Sequence, residues 1–163
     1  MKTAVMPGSF DPFTLGHADI LQRSCKLFDF VYVGILINKS KHELFAPEER
    51  MFLVKKVICD MNLKNADAEC FDGLLIDFVK AKGASATIRG IRSIDDFTSE
   101  LTMADLNAQL YKEAETVCLF SAPQFACVSS SAVKEIGSFG GDISGLVPRA
   151  IYDEVKERIN SHA

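Results

Sequence analysis

The chain has 163 residues, of which 48% are hydrophobic and 25% are charged, and this composition is typical of one globular domain. Its 18 basic and 22 acidic side chains give a formal net charge of −4, which excludes a strongly basic nucleic-acid-binding protein. No segment approaches the roughly 20 consecutive apolar residues of a membrane span. We therefore attribute the positive mean hydropathy of +0.12 to a large core and to contacts between subunits.

Short apolar runs alternate with longer amphipathic segments along the chain. The apolar runs predict five strands, at 3–6, 30–37, 69–71, 86–88 and 116–120. Helical spacing of apolar residues, together with proline and glycine signals, predicts the helices. These are predicted at 17–28, from 47, at 74–82, at 93–111, from 130 or 131, and from 148.

Alternation of strand and helix is the pattern of an α/β fold with right-handed crossovers. We predict a single doubly wound domain over residues 1–163, with a five-stranded parallel sheet of the Rossmann-like kind. Ligands of such sheets bind at the carboxyl ends of the strands, where the strand order reverses. Side chains that follow the predicted strands are therefore the first candidates for a functional site.

The cysteines, at positions 25, 59, 70, 118 and 127, are odd in number and show no CxxC spacing. Neither a zinc site nor a disulfide framework is predicted, and we expect buried thiols in a reducing compartment. The chain begins directly with a strand-like run and shows no signal-peptide pattern, so a cytoplasmic location is expected.

The first predicted strand runs into PGSFDPFTLGH at 7–17, which leads into a helix. The sequence is neither a Walker A loop nor a GxGxxG fingerprint. Gly8 allows close approach of backbone to a ligand, and Ser9 supplies an N–H and a hydroxyl. His17 stands at the helix start, where free N–H groups and the dipole favour an anion. A plain turn with a histidine cap is the alternative, and the combination of features favours phosphate binding.

Three other segments carry polar groups at expected ligand positions. Arg89 and Arg92 follow an apolar run and offer guanidinium forks suited to phosphate; solvated surface arginines are the alternative, and Gly90 between them favours a ligand. The serines at 129–131 precede a helix and can cap it while other N–H groups bind phosphate. Lys41 follows the second strand in a charged loop, and on its own it is as well explained by solvation.

Four segments together resemble one known family. The segment at 7–17 is similar to the [ST]-F-D-P-x-T-x-G-H opening of the nucleotidylyltransferase superfamily, whose members transfer a nucleoside monophosphate from ATP or CTP to a phosphorylated acceptor. Thr14 stands where many members have histidine, which resembles the bacterial phosphopantetheine adenylyltransferase branch. SK with FAPEER at 40–50, IRGIR with DF and E at 88–100, and VSSSAVKE at 128–135 resemble further blocks of that branch.

The resemblance implies transfer of AMP from ATP to 4′-phosphopantetheine, giving dephospho-coenzyme A and pyrophosphate in coenzyme A biosynthesis. It implies catalytic roles for His17, Lys41 and Arg89, and an acceptor site that includes Ser9, Lys41, Leu75 and Arg89. Glu100 is implied at the ribose. The implied ATP site comprises Ser9, Phe10, His17, Gly90, Ile91, Arg92, Glu100, Phe125, Ala126, Cys127, Val128, Ser129, Ser130 and Ser131. The chain departs from the family at Phe125, where tryptophan is frequent, and at Ser99, where an aromatic residue is common.

The chemistry implied by the resemblance needs no general base, because an acceptor phosphate with a second pKa near about 6 is largely dianionic at neutral pH. Catalysis then consists of positioning and charge stabilisation. Mg²⁺ is expected to accompany ATP, held by its phosphates and water and by no protein ligand. The resemblance further implies a homohexamer and feedback inhibition by coenzyme A.

Two alternatives remain at this point. One is another nucleotidylyltransferase, acting on nicotinate mononucleotide or, with CTP, on glycerol phosphate; the IRGIR block argues against it. The other is a non-catalytic nucleotide-binding regulator with the same fold. The joint presence of His17, Lys41, Arg89 and Arg92 argues against the regulator, because a sensor of nucleotide does not need all four.

Overall fold

A computed structural model of the chain describes residues 1–37 and 43–162. Within these residues, five parallel strands form one sheet. The strands are β1 (Thr3–Gly8), β2 (Phe30–Leu36), β3 (Ala66–Phe71), β4 (Ala86–Ile91) and β5 (Glu115–Phe120). The helices are α1 (Leu15–Leu27), α2 (Pro47–Asp60), α3 (Leu75–Ala81), α4 (Ile94–Leu110), α5 (Ser130–Ser138) and α6 (Tyr152–His162). Short 3-10 turns lie at Pro123–Phe125 and Arg149–Ile151. The predicted doubly wound α/β fold is confirmed.

The sheet order is β3-β2-β1-β4-β5, so the chain reverses its direction of winding between β1 and β4. β1 pairs with β2 along its whole length, but it pairs with β4 only where Ala4 faces Ala86 and Val5 faces Thr87. Beyond these pairs the two strands no longer pair, and a crevice opens at their carboxyl ends. This is the switch point at which ligands of doubly wound sheets bind.

Helices cover both faces of the sheet, and the side chains of its central strands alternate between two cores. Ala4 and Met6 belong to the larger core, whereas Val5 between them belongs to the smaller one. Leu21 of α1 is fully buried in the larger core, and Phe78 of α3 is buried in the smaller. Burial on both faces explains why these strands read as continuous apolar runs in the sequence. None of the described helices is long and apolar enough to cross a membrane.

Several elements extend beyond their predicted limits, because backbone pairing and capping set the ends. β1 continues to Gly8, which pairs with Ile35, and β4 continues to Ile91 in register with β5. α1 begins at Leu15, two residues before the predicted start, since Thr14 is its N-cap. The extensions of β4 and α1 change the description of the site, because they place Arg89 inside a strand and His17 in the first turn of a helix.

The expectation of buried thiols is wrong for three of the cysteines. Cys59, Cys118 and Cys127 are exposed, Cys25 and Cys70 are half-buried, and all five are free thiols. Cys118 is exposed because β5 is an edge strand of the sheet among the described residues. Burial raises the pKa of Cys25 to about 11 and also raises the pKa of Cys70, so both thiols are protonated at neutral pH.

Candidate active site

A crevice of about 340 Å³ lies between the carboxyl ends of β1 and β4, and we call it the switch-point crevice. The loop after β1 and the N-termini of α1 and α5 complete its walls. The predicted site residues in its lining are Ser9, Phe10, His17, Arg89, Gly90, Arg92, Glu100, Val128, Ser129, Ser130 and Ser131. The other predicted ATP-site residues, Ile91, Phe125, Ala126 and Cys127, adjoin the lining in sequence but lie outside it. Lys41 lies outside the described residues.

His17 is held in one orientation and one tautomer by Thr14. The backbone N–H of Thr14 donates to His17 Nδ1 at 3.1 Å, while the Thr14 hydroxyl accepts from the His17 N–H at 3.3 Å. The rings of Phe10 and Phe13 lie 5.0 and 5.3 Å from the imidazole. Because Nδ1 accepts a backbone hydrogen bond, the proton of the neutral ring is on Nε2. His17 is therefore a neutral hydrogen-bond donor at the crevice.

The surroundings of His17 also set its charge state. Burial, and secondly the positive charge of Arg92, lower the pKa of His17 from its ordinary value of 6.5 to about 4. At neutral pH the ring is uncharged, so it can stabilise a developing negative charge through a hydrogen bond but does not act as a proton donor of imidazolium type.

This pKa predicts acid sensitivity of the fold. Between pH 6.5 and 4 the unfolded chain binds a proton at His17 and the folded chain does not, so stability falls as the pH is lowered through this window. At pH 5 the free energy of unfolding is lower by at most about 2 kcal/mol, because each pH unit below 6.5 costs about 1.36 kcal/mol. The Tm of wild type should therefore fall relative to that of His17→Gln as the pH is lowered from 7 to 5. A constant difference in Tm across this range would contradict the shift.

Arg89 lies inside β4, and its guanidinium is fixed on two sides. Nε donates to Glu100 Oε2 at 2.6 Å, and Nη2 pairs with Glu100 Oε1, so the α4 carboxylate is held at two points. Nη1 donates to the carbonyl of Pro7 at 3.1 Å. The expectation that Arg89 follows its strand is wrong, because the pairing of β4 with β5 continues through Gly90. The pair with Glu100 was not predicted.

Arg92 forms the second cationic group of the crevice, and it directly follows β4 as predicted. Its Nε donates to Asp96 Oδ2 at 2.9 Å, and its Nη1 lies 3.4 Å from the Val128 carbonyl. Burial alone would raise the pKa of Asp96, but hydrogen bonds and the charge of Arg92 outweigh it and lower the pKa. Asp96 therefore remains ionised and holds Arg92 across the crevice mouth.

The N-terminus of α5 offers backbone donors, as the serines at 129–131 predict. Ser129 is the N-cap, and its hydroxyl accepts from the Ala132 N–H at 3.1 Å. The Ser130 hydroxyl donates to the Pro12 carbonyl at 2.8 Å, which ties α5 to the loop after β1. Within the part of the chain that the structure describes, the N–H groups of Ser130 and Ser131 have no acceptor. These two N–H groups and the helix dipole are suited to an anion.

A second cavity of about 630 Å³, which we call the apolar cavity, adjoins the switch-point crevice. The two share part of their lining: Pro7, Gly8, Ser9, Arg89 and Glu100. The other walls of the apolar cavity are largely aliphatic and aromatic, and they include Leu36, Phe71, Leu74, Leu75, Met103 and Leu106. Leu75, which the resemblance implies at the acceptor site, lines this apolar cavity, and Arg89 lies at the junction of the two cavities.

Two glycines of the switch-point crevice have a structural reason that was not predicted. A Cβ on Gly8 would lie 2.8 Å from the ring of Phe10, and a Cβ on Gly90 would lie 3.2 Å from the Ile20 side chain. Both glycines were interpreted as allowing a ligand to approach the backbone. That interpretation stays a prediction, and in the structure both glycines also make room for side chains that themselves line the crevice.

Comparison with known proteins agrees with this geometry. Residues 5–136 match the family model described as cytidylyltransferase-like. The chain is 44% identical to the phosphopantetheine adenylyltransferase of Clostridium perfringens over 161 residues, covering 99% of this chain and 97% of the relative. It is 46% identical to that of Rubrobacter xylanophilus over 157 residues, covering 96% and 94%. The chain belongs to the phosphopantetheine adenylyltransferase family.

Solved structures support the fold of this phosphopantetheine adenylyltransferase family member. A Vibrio parahaemolyticus protein assigned as a nicotinate-nucleotide adenylyltransferase superposes with a TM-score of 0.66 at 19% identity, covering 97% of this chain and 96% of that one. A lipopolysaccharide core biosynthesis protein of Thermoplasma volcanium gives a TM-score of 0.56 at 22% identity, covering 75% and 98%. At these identities the likeness is one of fold.

The sequence did not predict several groups that contact the candidate site residues and fix their orientation. Asp96 was noted as part of the DF pair, but its pairing with Arg92 was missed, although it lies four residues after Arg92 at the start of a predicted helix. The carbonyls of Pro7 and Val128 give no sequence signal, since every residue has a carbonyl. Met103 and the other cavity residues of α4 could not be distinguished from ordinary core residues by their spacing.

Proposed function

We propose that this chain transfers the adenylyl group of ATP to 4′-phosphopantetheine, forming dephospho-coenzyme A and pyrophosphate. The observation that carries the proposal is the junction of the switch-point crevice and the apolar cavity at Arg89. A long, mostly uncharged arm that ends in a phosphate fits the apolar cavity with its phosphate at that junction. The polyphosphate of a nucleotide fits the donors of the crevice. The names of the relatives support the same pair of substrates.

The site residues suit a reaction of two phosphates without a base. An oxygen of the acceptor phosphate attacks the α-phosphorus of ATP, the new P–O bond forms, and the bond to pyrophosphate breaks. The acceptor oxygen carries no proton that must be removed at neutral pH. His17 Nε2 donates to an α-phosphate oxygen, where negative charge develops, and a fixed donor in this position lowers the barrier.

The other groups position the two substrates. Arg89 holds the acceptor phosphate, and we assign the same role to Lys41, which lies outside the described residues. Arg92 and the free N–H groups of Ser130 and Ser131 hold the β- and γ-phosphates. Glu100 binds the ribose or orients Arg89, and its contact in the structure is with Arg89.

Mg²⁺ enters this scheme as part of the substrate MgATP. Among the described residues there is no group of three or more His, Cys, Asp or Glu side chains that could hold a metal ion. The two carboxylates of the crevice, Asp96 and Glu100, are each paired with an arginine. A Mg²⁺ ion held by phosphate oxygens and water fits these surroundings, as is usual for this ion.

The proposed reaction is tested by pyrophosphate release from the purified chain. ATP or CTP is offered with 4′-phosphopantetheine, nicotinate mononucleotide or glycerol 3-phosphate, and pantetheine without its phosphate is the matched control. We expect turnover only with ATP and 4′-phosphopantetheine. Turnover with another acceptor contradicts the proposal, and tight ATP binding without any turnover supports a nucleotide-binding regulator.

We further propose that the chain assembles as a homohexamer through α4. None of the residues of this helix is buried, and Ile94, Phe97 and Leu101 form an apolar stripe with exposures of 83%, 46% and 50%. Phe120, on the neighbouring edge strand, is 70% exposed. A second copy of the chain is the occupant that fits, because the apolar helix and the open sheet edge are adjacent and one copy buries both at once.

The oligomer proposal predicts that Leu101→Glu dissociates the assembly. A carboxylate in an apolar subunit contact remains unpaired and costs about 3–5 kcal/mol, which is on the order of 10²–10³-fold in association. Light scattering at micromolar concentration should give about six times the 17.9 kDa of one chain for wild type and a lower mass for the variant. Leu27→Glu, at another exposed leucine, is the control and should leave the mass unchanged. A monomeric wild type, or equal dissociation by both variants, contradicts the proposal.

Regulation and location complete the proposal. Coenzyme A contains the same phosphopantetheine arm as the acceptor, so we propose that it occupies the apolar cavity and inhibits the reaction. Calorimetric titration should show binding that competes with 4′-phosphopantetheine, and the absence of heat would refute it.

We assign the chain to the cytoplasm, because free exposed thiols such as Cys59 and Cys127 suit a reducing compartment.

A further inference from the structure

A fully buried arginine stands behind the loop that carries the phosphate donors. Arg50 lies in the first turn of α2 and has no exposed surface. Its Nη1 donates to the carbonyl of Ser9 at 2.6 Å and lies 3.3 Å from the carbonyl of Leu36. Its Nη2 pairs with Glu43 at 2.8 Å. The guanidinium thus joins the loop after β1 to the end of β2.

The contact with Ser9 fixes a peptide that faces the crevice. A trans peptide is planar, and its C=O and N–H groups point in opposite directions. Since the Ser9 carbonyl points into the protein toward Arg50, the N–H of Phe10 in the same peptide points the other way. Ser9 and Phe10 both line the switch-point crevice, and no described residue accepts the Phe10 N–H.

The backbone at this point is in a conformation that needs support. Phe10 has φ of +50°, the left-handed region that a phenylalanine rarely adopts. Such a conformation persists where surrounding contacts determine it. The Phe10 ring is buried against Gly8, and the Ser9 carbonyl is held by Arg50. These two contacts hold the two ends of the Ser9–Phe10 unit.

We propose that Arg50 is a positioning residue for adenylyl transfer, which holds the Ser9–Phe10 peptide so that the Phe10 N–H donates to the α-phosphate beside His17. The proposal rests on the proposed function for its kinetic consequence. Arg50 does not touch substrate, because it has no surface in either cavity. Glu43 balances its charge, and the contact with Leu36 sets the distance between the loop and β2.

The kinetic test compares Arg50→Lys and Arg50→Met with Arg158→Met. Arg158 is the matched control, since it too binds a carbonyl and a carboxylate, of Leu44 and Glu49, but it does not contact Ser9. For Arg50→Met we expect kcat to fall about tenfold or more and the Kd of an unreactive ATP analogue to change less than about threefold. Arg50→Lys should recover part of kcat, because an ammonium can replace one of the donors but not the planar fork. Arg158→Met should lower Tm and leave kcat unchanged.

A spectroscopic test does not depend on the acceptor. In protein labelled with ¹⁵N-phenylalanine, α,β-methylene-ATP should shift the Phe10 amide proton downfield in wild type, and Arg50→Lys should reduce this shift by at least half. An unshifted Phe10 amide in wild type overturns the proposal, as does an equal shift in both proteins. So does an equal effect on kcat of Arg50→Met and Arg158→Met. If wild type turns over no acceptor, the proposed function fails, and the amide shift alone decides the role of Arg50.

Discussion

Replacement of His17 by alanine is expected to lower kcat by about 10²–10³ while the Kd of ATP changes only a few-fold. The imidazole is neutral, its Nδ1 is occupied by the Thr14 N–H, and its Nε2–H is the donor left for the α-phosphate. Such a donor contributes most in the transition state, where the charge on the α-phosphate oxygens is greatest. The loss therefore appears in kcat and not in nucleotide binding.

Steady-state kinetics and equilibrium binding of an unreactive ATP analogue measure the two quantities separately. His17→Gln is the conservative variant, because an amide N–H can donate from a similar position, and it should retain more activity than the alanine variant. Thr14→Val is a second variant, which removes the hydroxyl and keeps the backbone N–H that fixes the tautomer. A fall in kcat of less than about tenfold in His17→Ala, or 1.4 kcal/mol, would contradict a transition-state role.

The pH profile distinguishes a neutral donor from a general acid. With its pKa lowered to about 4, His17 does not titrate between pH 5 and 8, so it should cause no change of kcat with pH in that range. Activity should fall only below about pH 6, where the acceptor phosphate becomes protonated. This limb should remain in His17→Gln. A limb near the ordinary histidine pKa that disappears in that variant would show that imidazolium takes part.

The sequence predicted the fold, and which side chains meet at the switch point, because both depend on local patterns. Continuous apolar runs indicate strands buried on both faces, and β1 and β2 are such strands. The carboxyl ends of β1 and β4 meet at the switch point, so residues placed after those strands meet there too. His17 and Arg92 were therefore predicted to lie near each other from their positions after strands, and the structure places both in the switch-point crevice.

The contacts that set the chemistry could not be predicted in the same way. The pairing of Arg89 with Glu100 depends on how α4 lies over β4, and the burial of Arg50 depends on the approach of α2 to the loop after β1. Local sequence does not distinguish a buried arginine from a solvated one. The exposure of Cys118 depends on β5 being an edge strand, which is a property of the strand order. Long-range geometry of this kind leaves no local pattern.

Replacement of Arg89 by methionine is expected to lower kcat/KM for 4′-phosphopantetheine by about 10² or more, since loss of one partner in a charge pair costs about 2–5 kcal/mol. Methionine keeps the aliphatic volume at the junction of the two cavities and removes the charge and its donors. The Kd of the ATP analogue should change much less. In addition, the carboxylate of Glu100 loses its partner and faces the incoming phosphate.

The double variant Arg89→Met with Glu100→Gln separates these two effects. Glu100→Gln alone removes one acidic charge, and the double variant removes the repulsion that the single arginine variant creates. If Arg89 holds the acceptor phosphate, the double variant recovers part of the loss, and acceptor binding stays weaker than in wild type. If Glu100 acts mainly at the ribose, Glu100→Gln raises the Kd of the ATP analogue and does not rescue Arg89→Met. An unchanged acceptor Kd in Arg89→Met would remove Arg89 from the acceptor site. The apolar cavity and the switch-point crevice then could not act together as proposed, because Arg89 is the cation that lines both among residues 1–37 and 43–162.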